Sequence, residues 1–265
     1  MLAYYATEPH RDFWTEHWGQ HTVGELLAIA RRSPLTELIT RALPTSGVIL
    51  EAGCGLGQYV LLLRELGWRV AGADWSVEAL AACRRVGPAP LSAMALDRLA
   101  IRDGALAAYV SLGVLEHDPR GPDAILAEAR RTLAPGGVLV VSVPYVNGVR
   151  RLATPWLRRR GRALARRGGK FYQFAFSRRE LRAALVRHGF HPTSATPYDP
   201  ARLLRKALPG AVARRLSHSR PSTSIPASAT ASSAARATRI ARRLLYTDAA
   251  LRLFGHMLLV VARKA

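Results

Sequence analysis

Two cysteines in 265 residues leave no room for a disulfide framework. Cys54 and Cys83 have no second pair and no histidines at ligand spacing, so neither a zinc site nor any other metal is expected. No uninterrupted apolar run approaches the ~18 residues a membrane span requires. The opening "MLAYYATEPHRDFW" also lacks the basic-then-apolar order of a secretory leader. A cytoplasmic protein, at most peripheral to a membrane, is the expectation. Acid is what the second half of the chain lacks most: residues 150–265 hold 26 Lys+Arg against 3 Asp+Glu, while residues 1–149 hold 13 against 15. The net charge of +21 is therefore entirely C-terminal. Such a half predicts contact with something anionic, whether nucleic acid, a phospholipid surface or a phosphorylated substrate, unless its arginines only decorate a solvated surface.

What is present is an alternation of strand and helix patterns from residue 46 onward. "GVILEAG" precedes a helical "GQYVLLLRELG", "WRVAGAD" precedes "SVEALAACRRVG", and "LAAYVSLGV" precedes "GPDAILAEARRTLAPGG" and the strand "VLVVSVP". Strands that are apolar without alternation are buried on both faces. Repeated strand–helix–strand order implies a doubly wound, mostly parallel α/β sheet with helices on both faces. Residues 10–43 carry helical apolar spacing (Phe13, Trp14, Trp18, then Leu26, Leu27 and Ile39) broken at Pro34, so 1–45 is read as an N-terminal helical lid or packing layer. "SRRELRAALVRHGF" is a helix capped by Ser177 and stopped by Gly189. Residues 200–245, rich in Ser, Ala, Pro and Arg, read as a mobile loop. "GHMLLVVARK" is a terminal strand that inserts beside its predecessor.

The most informative stretch is "VILEAGCGLGQYV", residues 48–60. Glycines at 53, 55 and 57 let the backbone pass close to a ligand, and in an open parallel sheet ligands bind beyond the carboxyl ends of the strands, where strand order reverses. A dinucleotide fingerprint wants a sixth-position glycine, but Gln58 stands there. Glu51 at the strand's end would also repel a pyrophosphate. A cationic ligand suits this bend better.

The motifs "ILEAGCGLGQY", "VAGADWS", "SLGVLEHDP" and "RRTLAPGGVLVVSVP", in this order, resemble those of class I methyltransferases that use S-adenosylmethionine, and "YQFAFSRRELRAALVRHGF" resembles a late helix of their small-molecule members. The resemblance implies a seven-stranded Rossmann-like sheet with an antiparallel last strand, and a methyltransferase domain over 46–265. It implies that Glu51, Gly53, Gly55 and Gly57 meet the methionine moiety of the cofactor, that Asp74 grips the ribose hydroxyls, and that Trp75 packs on adenine. Leu112 and Gly113, at the fourth-strand exit, complete the expected cofactor site. Two departures stand out: Met94 and Ala95 occupy the place of an adenine-side acid, which leaves Asp97 as the nearest substitute, and Ala107 replaces an acid at the start of the fourth strand.

Methyl transfer from a sulfonium is an in-line displacement in which positioning supplies most of the acceleration, so the missing triad is no argument against catalysis. If the acceptor is a hydroxyl, a base is needed. His117, Tyr145 and Tyr172 are the candidates, each of which also has a purely structural reading. The leading expectation is O-methylation of a small-molecule, lipid or glycan acceptor. An RNA acceptor is a second reading, although the Asn/Asp-Pro-Pro-Tyr tetrapeptide of base-amine methylation is missing. A binding protein that kept the fold without turnover is a third. The basic insertion at 150–170, with Leu152, Trp156, Leu157 and Leu164 as apolar members, follows the fifth strand and is expected to meet an anionic surface or acceptor.

Overall fold

The computed structural model describes residues 1–6, 18–200 and 243–265. The chain opens with strand β1 (Leu2–Ala6), helices α1 (Val23–Arg32) and α2 (Pro34–Thr40), and strand β2 (Val48–Ala52). There follow α3 (Gln58–Glu65), β3 (Arg69–Asp74), α4 (Val77–Val86), β4 (Leu91–Ala93) and β5 (Leu106–Leu112). A 3-10 turn at Leu115–His117 leads to α5 (Asp123–Thr132) and the long β6 (Leu133–Pro144). Then come α6 (Gly148–Leu152), α7 (Thr154–Arg166), β7 (Lys170–Ala175), α8 (Arg178–Arg187), β8 (Phe190–Tyr198), α9 (Asp248–Phe254) and β9 (Met257–Lys264).

Seven strands form one sheet in the order β4-β3-β2-β5-β6-β9-β8, and β1 pairs with β7 in a separate ribbon. Pairs among β2 to β6 are parallel, and β9 lies antiparallel between β6 and β8. The predicted insertion of the terminal strand beside its predecessor is thus observed. Alternate residues of the central strands go to opposite layers: Ile49, Val110 and Val140 pack with α1 to α4, whereas Leu50, Tyr109 and Leu139 pack with α5 and α8. That two-sided burial is why these strands read as unbroken apolar runs. Ser177 caps α8 through a reciprocal box with Glu180, and Gly189 follows the helix with φ 68°.

Three features differ from the sequence reading. The helix read as extending to Gly137 stops at Thr132, and β6 begins at Leu133. Pro135 has no amide to continue a helix and Gly136 adopts φ 71°, so the chain turns early. The span 1–45 is not helical throughout, because Leu2–Ala6 pair with Lys170–Ala175. Phe13 and Trp14 lie outside the described residues, as does nearly all of the segment read as a mobile loop.

The bend after β2 is shaped by contacts that tolerate no side chain. Gly57 precedes α3 in the left-handed region (φ 69°), and a Cβ there would strike Cys83 Sγ. Gly57→Ala is expected to lower stability by about 2 kcal/mol, from the left-handed backbone and the overlap together. Adding Cys83→Ala relieves the overlap, so urea denaturation of both single variants and the double should show the two losses to be less than additive.

Candidate active site

Strand order reverses at β2: the chain passes from β2 through β3 to β4 on one side, then crosses to β5 on the other. The carboxyl ends of β2, β3 and β5 therefore border one crevice. A cleft of about 150 Å³ lies there, walled by Glu51 and Gly53 at the end of β2, Asp74 and Trp75 at the end of β3, Leu96 after β4, and Leu112, Gly113 and His117 at the exit of β5.

The Asp74 carboxylate organises the floor. Oδ2 accepts the Gly55 amide at 2.7 Å and Oδ1 accepts the Ser76 amide at 2.9 Å. Both the Gly53 and Cys54 amides donate to the Ala73 carbonyl. The glycine bend is thereby drawn across the end of β3. Gly53 lines the cleft, Gly55 lies beneath the Trp18 ring, and Gly57 backs onto Cys83, so the last two shape the bend rather than form its wall. Each carboxylate oxygen has two lone pairs. Asp74 therefore keeps acceptor capacity after binding two amides.

Glu51 is 3% exposed, and its Oε2 has no hydrogen-bond partner. Burial pushes its pKa up to about 8, against the pull of the Val60 amide and with help from the neighbouring Asp74 charge. Val60 lies in the first turn of α3, whose own N-cap, Gly57, offers no side chain. Glu51 thus caps α3 from the adjacent strand. Gln58 Oε1, also on the cleft wall, is buried without a partner. Two orphaned oxygens facing one glycine-lined cleft suit a ligand that brings donors and positive charge.

At the β5 exit, His117 Nδ1 lies 2.8 Å from the Tyr172 carbonyl oxygen. A carbonyl only accepts, so Nδ1 carries the hydrogen, and the lone pair of the neutral ring is on Nε2. Burial depresses the His117 pKa despite that hydrogen bond, which keeps the ring neutral at pH 7. The Tyr172 ring stands edge-on to the imidazole at 5.4 Å between centroids. Glu116, 2% exposed, sits behind, with Oε1 4.0 Å from His117 Nε2, Oε2 unpartnered and its pKa pushed by burial to about 8.

The structure brings His117 and seven of the nine expected cofactor residues to or directly beneath the cleft. Gly57 shapes the bend from behind, and Asp97 is elsewhere: its carboxylate pairs with Arg120 at 3.3 Å, and Leu96 takes the wall position beside it. Tyr145 is buried away from the cleft wall, its amide bound to the His256 carbonyl. Tyr172 stands one layer back, behind His117. Trp18, read as a member of the N-terminal lid or packing layer, stands on the cleft wall, whereas sequence reasoning missed Gln58 as a wall residue with an unpartnered oxygen and Glu116 altogether. Glu116 sits beside His117 in "LEH" and is flanked by a buried leucine, but no periodicity marks it as facing inward.

The family model for the methyltransferase domain matches residues 50–141, the segment that builds this cleft. Those residues form a methyltransferase domain of the kind that uses S-adenosylmethionine. It is 27% identical over 133 residues to the mouse tRNA (carboxymethyluridine(34)-5-O)-methyltransferase ALKBH8, a match spanning 48% of this chain and about a fifth (19%) of that protein. Among solved structures, an Archaeoglobus fulgidus S-adenosylmethionine-dependent methyltransferase shares the fold with a TM-score of 0.58 at 15% identity, covering 96% of this chain and 100% of that one. The geranyl diphosphate C-methyltransferase of Streptomyces coelicolor aligns with a TM-score of 0.56 at 17% identity, over 99% of this chain and 91% of that one. The unpartnered oxygens of Glu51 and Gln58, the open acceptor sites of Asp74 and the glycine bend fit S-adenosylmethionine.

Both buried glutamates have folded pKa values above their unfolded ones. Their contribution to stability is complete below about pH 4 and is lost as pH rises through about 8. Relative to Glu51→Gln and Glu116→Gln, the wild type should lose on the order of 1 kcal/mol per pH unit per group between about pH 5 and 8. Urea midpoints of the three proteins across that range measure it. Parallel curves would show that the carboxyls ionise normally.

Proposed function

We propose that the chain methylates a hydroxyl oxygen of a small-molecule, lipid or glycan acceptor, with His117 as general base. The observation carrying this reading is the bond from His117 Nδ1 to the Tyr172 carbonyl, which fixes the tautomer and leaves the basic lone pair on Nε2 of a residue in the cleft wall. Bound S-adenosylmethionine supplies an electrophilic methyl on a sulfonium that leaves without acid assistance. With the cofactor bound, Asp74 would accept from the ribose hydroxyls, Trp75 and Leu96 would cover the adenine, and Glu51 would face the α-ammonium group. Met94 and Ala95 put no acid near the adenine amine, and Asp97 is held away by Arg120. Adenine would therefore be held by packing more than by a carboxylate.

His117 Nε2 takes the acceptor's proton as the new C–O bond forms. The low pKa that burial imposes on His117 keeps this site unprotonated at neutral pH. Tyr172 orients the imidazole through its backbone and bounds it through its ring. Trp18, over Gly55, walls the cleft from the N-terminal side, where its ring would help to exclude water during transfer.

An RNA acceptor is the second reading, favoured by the match to a tRNA methyltransferase and by the basic C-terminal half. Label transfer from methyl-tritiated S-adenosylmethionine into separated lipid, small-molecule and RNA fractions distinguishes the two, since label confined to RNA overturns the first. With the labelled fraction as acceptor, the wild-type rate should rise with pH to a plateau whose midpoint lies below the ordinary histidine value of about 6.5. His117→Gln should lose about 10²- to 10⁴-fold in rate and the pH limb with it, while cofactor affinity holds. A full rate in His117→Gln would remove the base from the mechanism.

A further inference from the structure

Helices α6 and α7 form an arm between β6 and the β1–β7 ribbon. Its root is rigid: the Asn147 side chain caps α6 and donates to the Gly255 carbonyl at 2.8 Å. Arg150 donates to the Tyr145 carbonyl at 2.7 Å and meets His256 Nδ1 at 2.9 Å. The inner face of α7 is also accounted for. Leu157, Gly161 and Leu164 are partly buried, and Gly161 lies against Ala3 and the Tyr5 ring of β1.

The outer face is different. Neither helix has a fully buried residue. Leu152 is 85% exposed and Trp156, four residues on, is 58% exposed. Val149 is exposed too, as is Leu253 of α9, whose side chain abuts Gly148 at the arm's root. Arg151, Arg158, Arg159, Arg160, Arg162 and Arg166 are all exposed beside these apolar groups, and Arg160 lies over the Trp156 ring at 5.4 Å. Neither helix contains an acidic residue.

A helix whose accessible face mixes a tryptophan and a leucine with arginines, and no acid, matches the headgroup boundary of an anionic bilayer: the apolar groups enter the acyl edge while the guanidinium groups meet phosphates. Solvated arginines alone would not need Leu152 and Trp156 beside them. Among the described residues no helix is long and apolar enough to cross a membrane, so the contact is one of lying on the surface. We infer that the α6–α7 arm docks the protein on anionic phospholipid membranes, with Leu152 and Trp156 as apolar anchors and Arg158, Arg159 and Arg160 as phosphate contacts. This goes beyond the proposed reaction and does not depend on it. The ribbon that carries α7 also supplies Tyr172 to the catalytic histidine, so docking would set the cleft's acceptor side near the membrane.

Flotation of the full chain with vesicles tests the inference without any turnover. Binding is expected to phosphatidylcholine vesicles containing about 30% phosphatidylglycerol, not to phosphatidylcholine alone, and to weaken steeply with salt. Arg158→Ser/Arg159→Ser/Arg160→Ser should weaken it on the order of a hundredfold at low salt, at about fivefold per lost cation. Leu152→Ser/Trp156→Ser should weaken it by about tenfold or more. Because these side chains are exposed, melting temperatures should stay at the wild-type value. Bromine-labelled lipids should quench part of the wild-type tryptophan emission that Trp156→Phe lacks. Equal vesicle binding by wild type and both multiple variants would overturn the inference. So would binding to RNA with no binding to vesicles at the same salt.

Discussion

One hydrogen bond, from the Gly55 amide to the Asp74 carboxylate, ties the end of β2 to the end of β3 and gives the cleft its floor. A carboxylate that is 5% exposed is costly to bury unless amides meet it, and the Gly55 and Ser76 amides do so. Meeting Gly55 demands that the bend pass close to β3, and only glycine permits the left-handed backbone at 53, 55 and 57 beneath Val114, Trp18 and Cys83. Glu51 Oε2 and Gln58 Oε1, on the wall of the same cleft, have no hydrogen-bond partner among the described residues.

The molecule divides its labour along the charge boundary. The nearly neutral N-terminal half builds the cofactor cleft from strand ends, while the basic half supplies the arm, the β1–β7 ribbon's second strand and the strand pair β8–β9 that closes the sheet. The halves meet at His117, whose tautomer is set by a backbone carbonyl from β7. A side chain from the cofactor half is thus oriented by an element of the other half. Any shift of the ribbon would be felt at the His117 ring.

Most of the cofactor half was legible in the sequence because its signals are local. The glycine spacing, the acidic end of β2 and Asp74 about 20 residues on are fixed by turn chemistry and strand length, and the apolar runs declare two-sided burial. The ribbon was illegible: Leu2–Ala6 is short, and it pairs with residues about 170 positions away, which no local pattern encodes. Glu116 was missed for the same reason, since the turn that carries it packs on β6 and β7. Tyr145 looked exposed to the acceptor because it follows β6, but a backbone bridge to Phe176 turns it into the second layer. Asp97 was displaced from the expected site by an arginine, Arg120, that lies 23 residues downstream.

If the Asp74 clasp both shapes the bend and grips the ribose, removing one of its acceptor oxygens must cost ligand affinity in a protein that still folds. Calorimetric titration of Asp74→Asn with S-adenosylhomocysteine, beside the wild type and with far-ultraviolet dichroism as the folding control, measures this most directly. The account predicts at least about a tenfold weaker dissociation constant with an unchanged spectrum, since an amide nitrogen would face either the Gly55 or the Ser76 donor. Wild-type affinity in Asp74→Asn would contradict it and place the cofactor elsewhere.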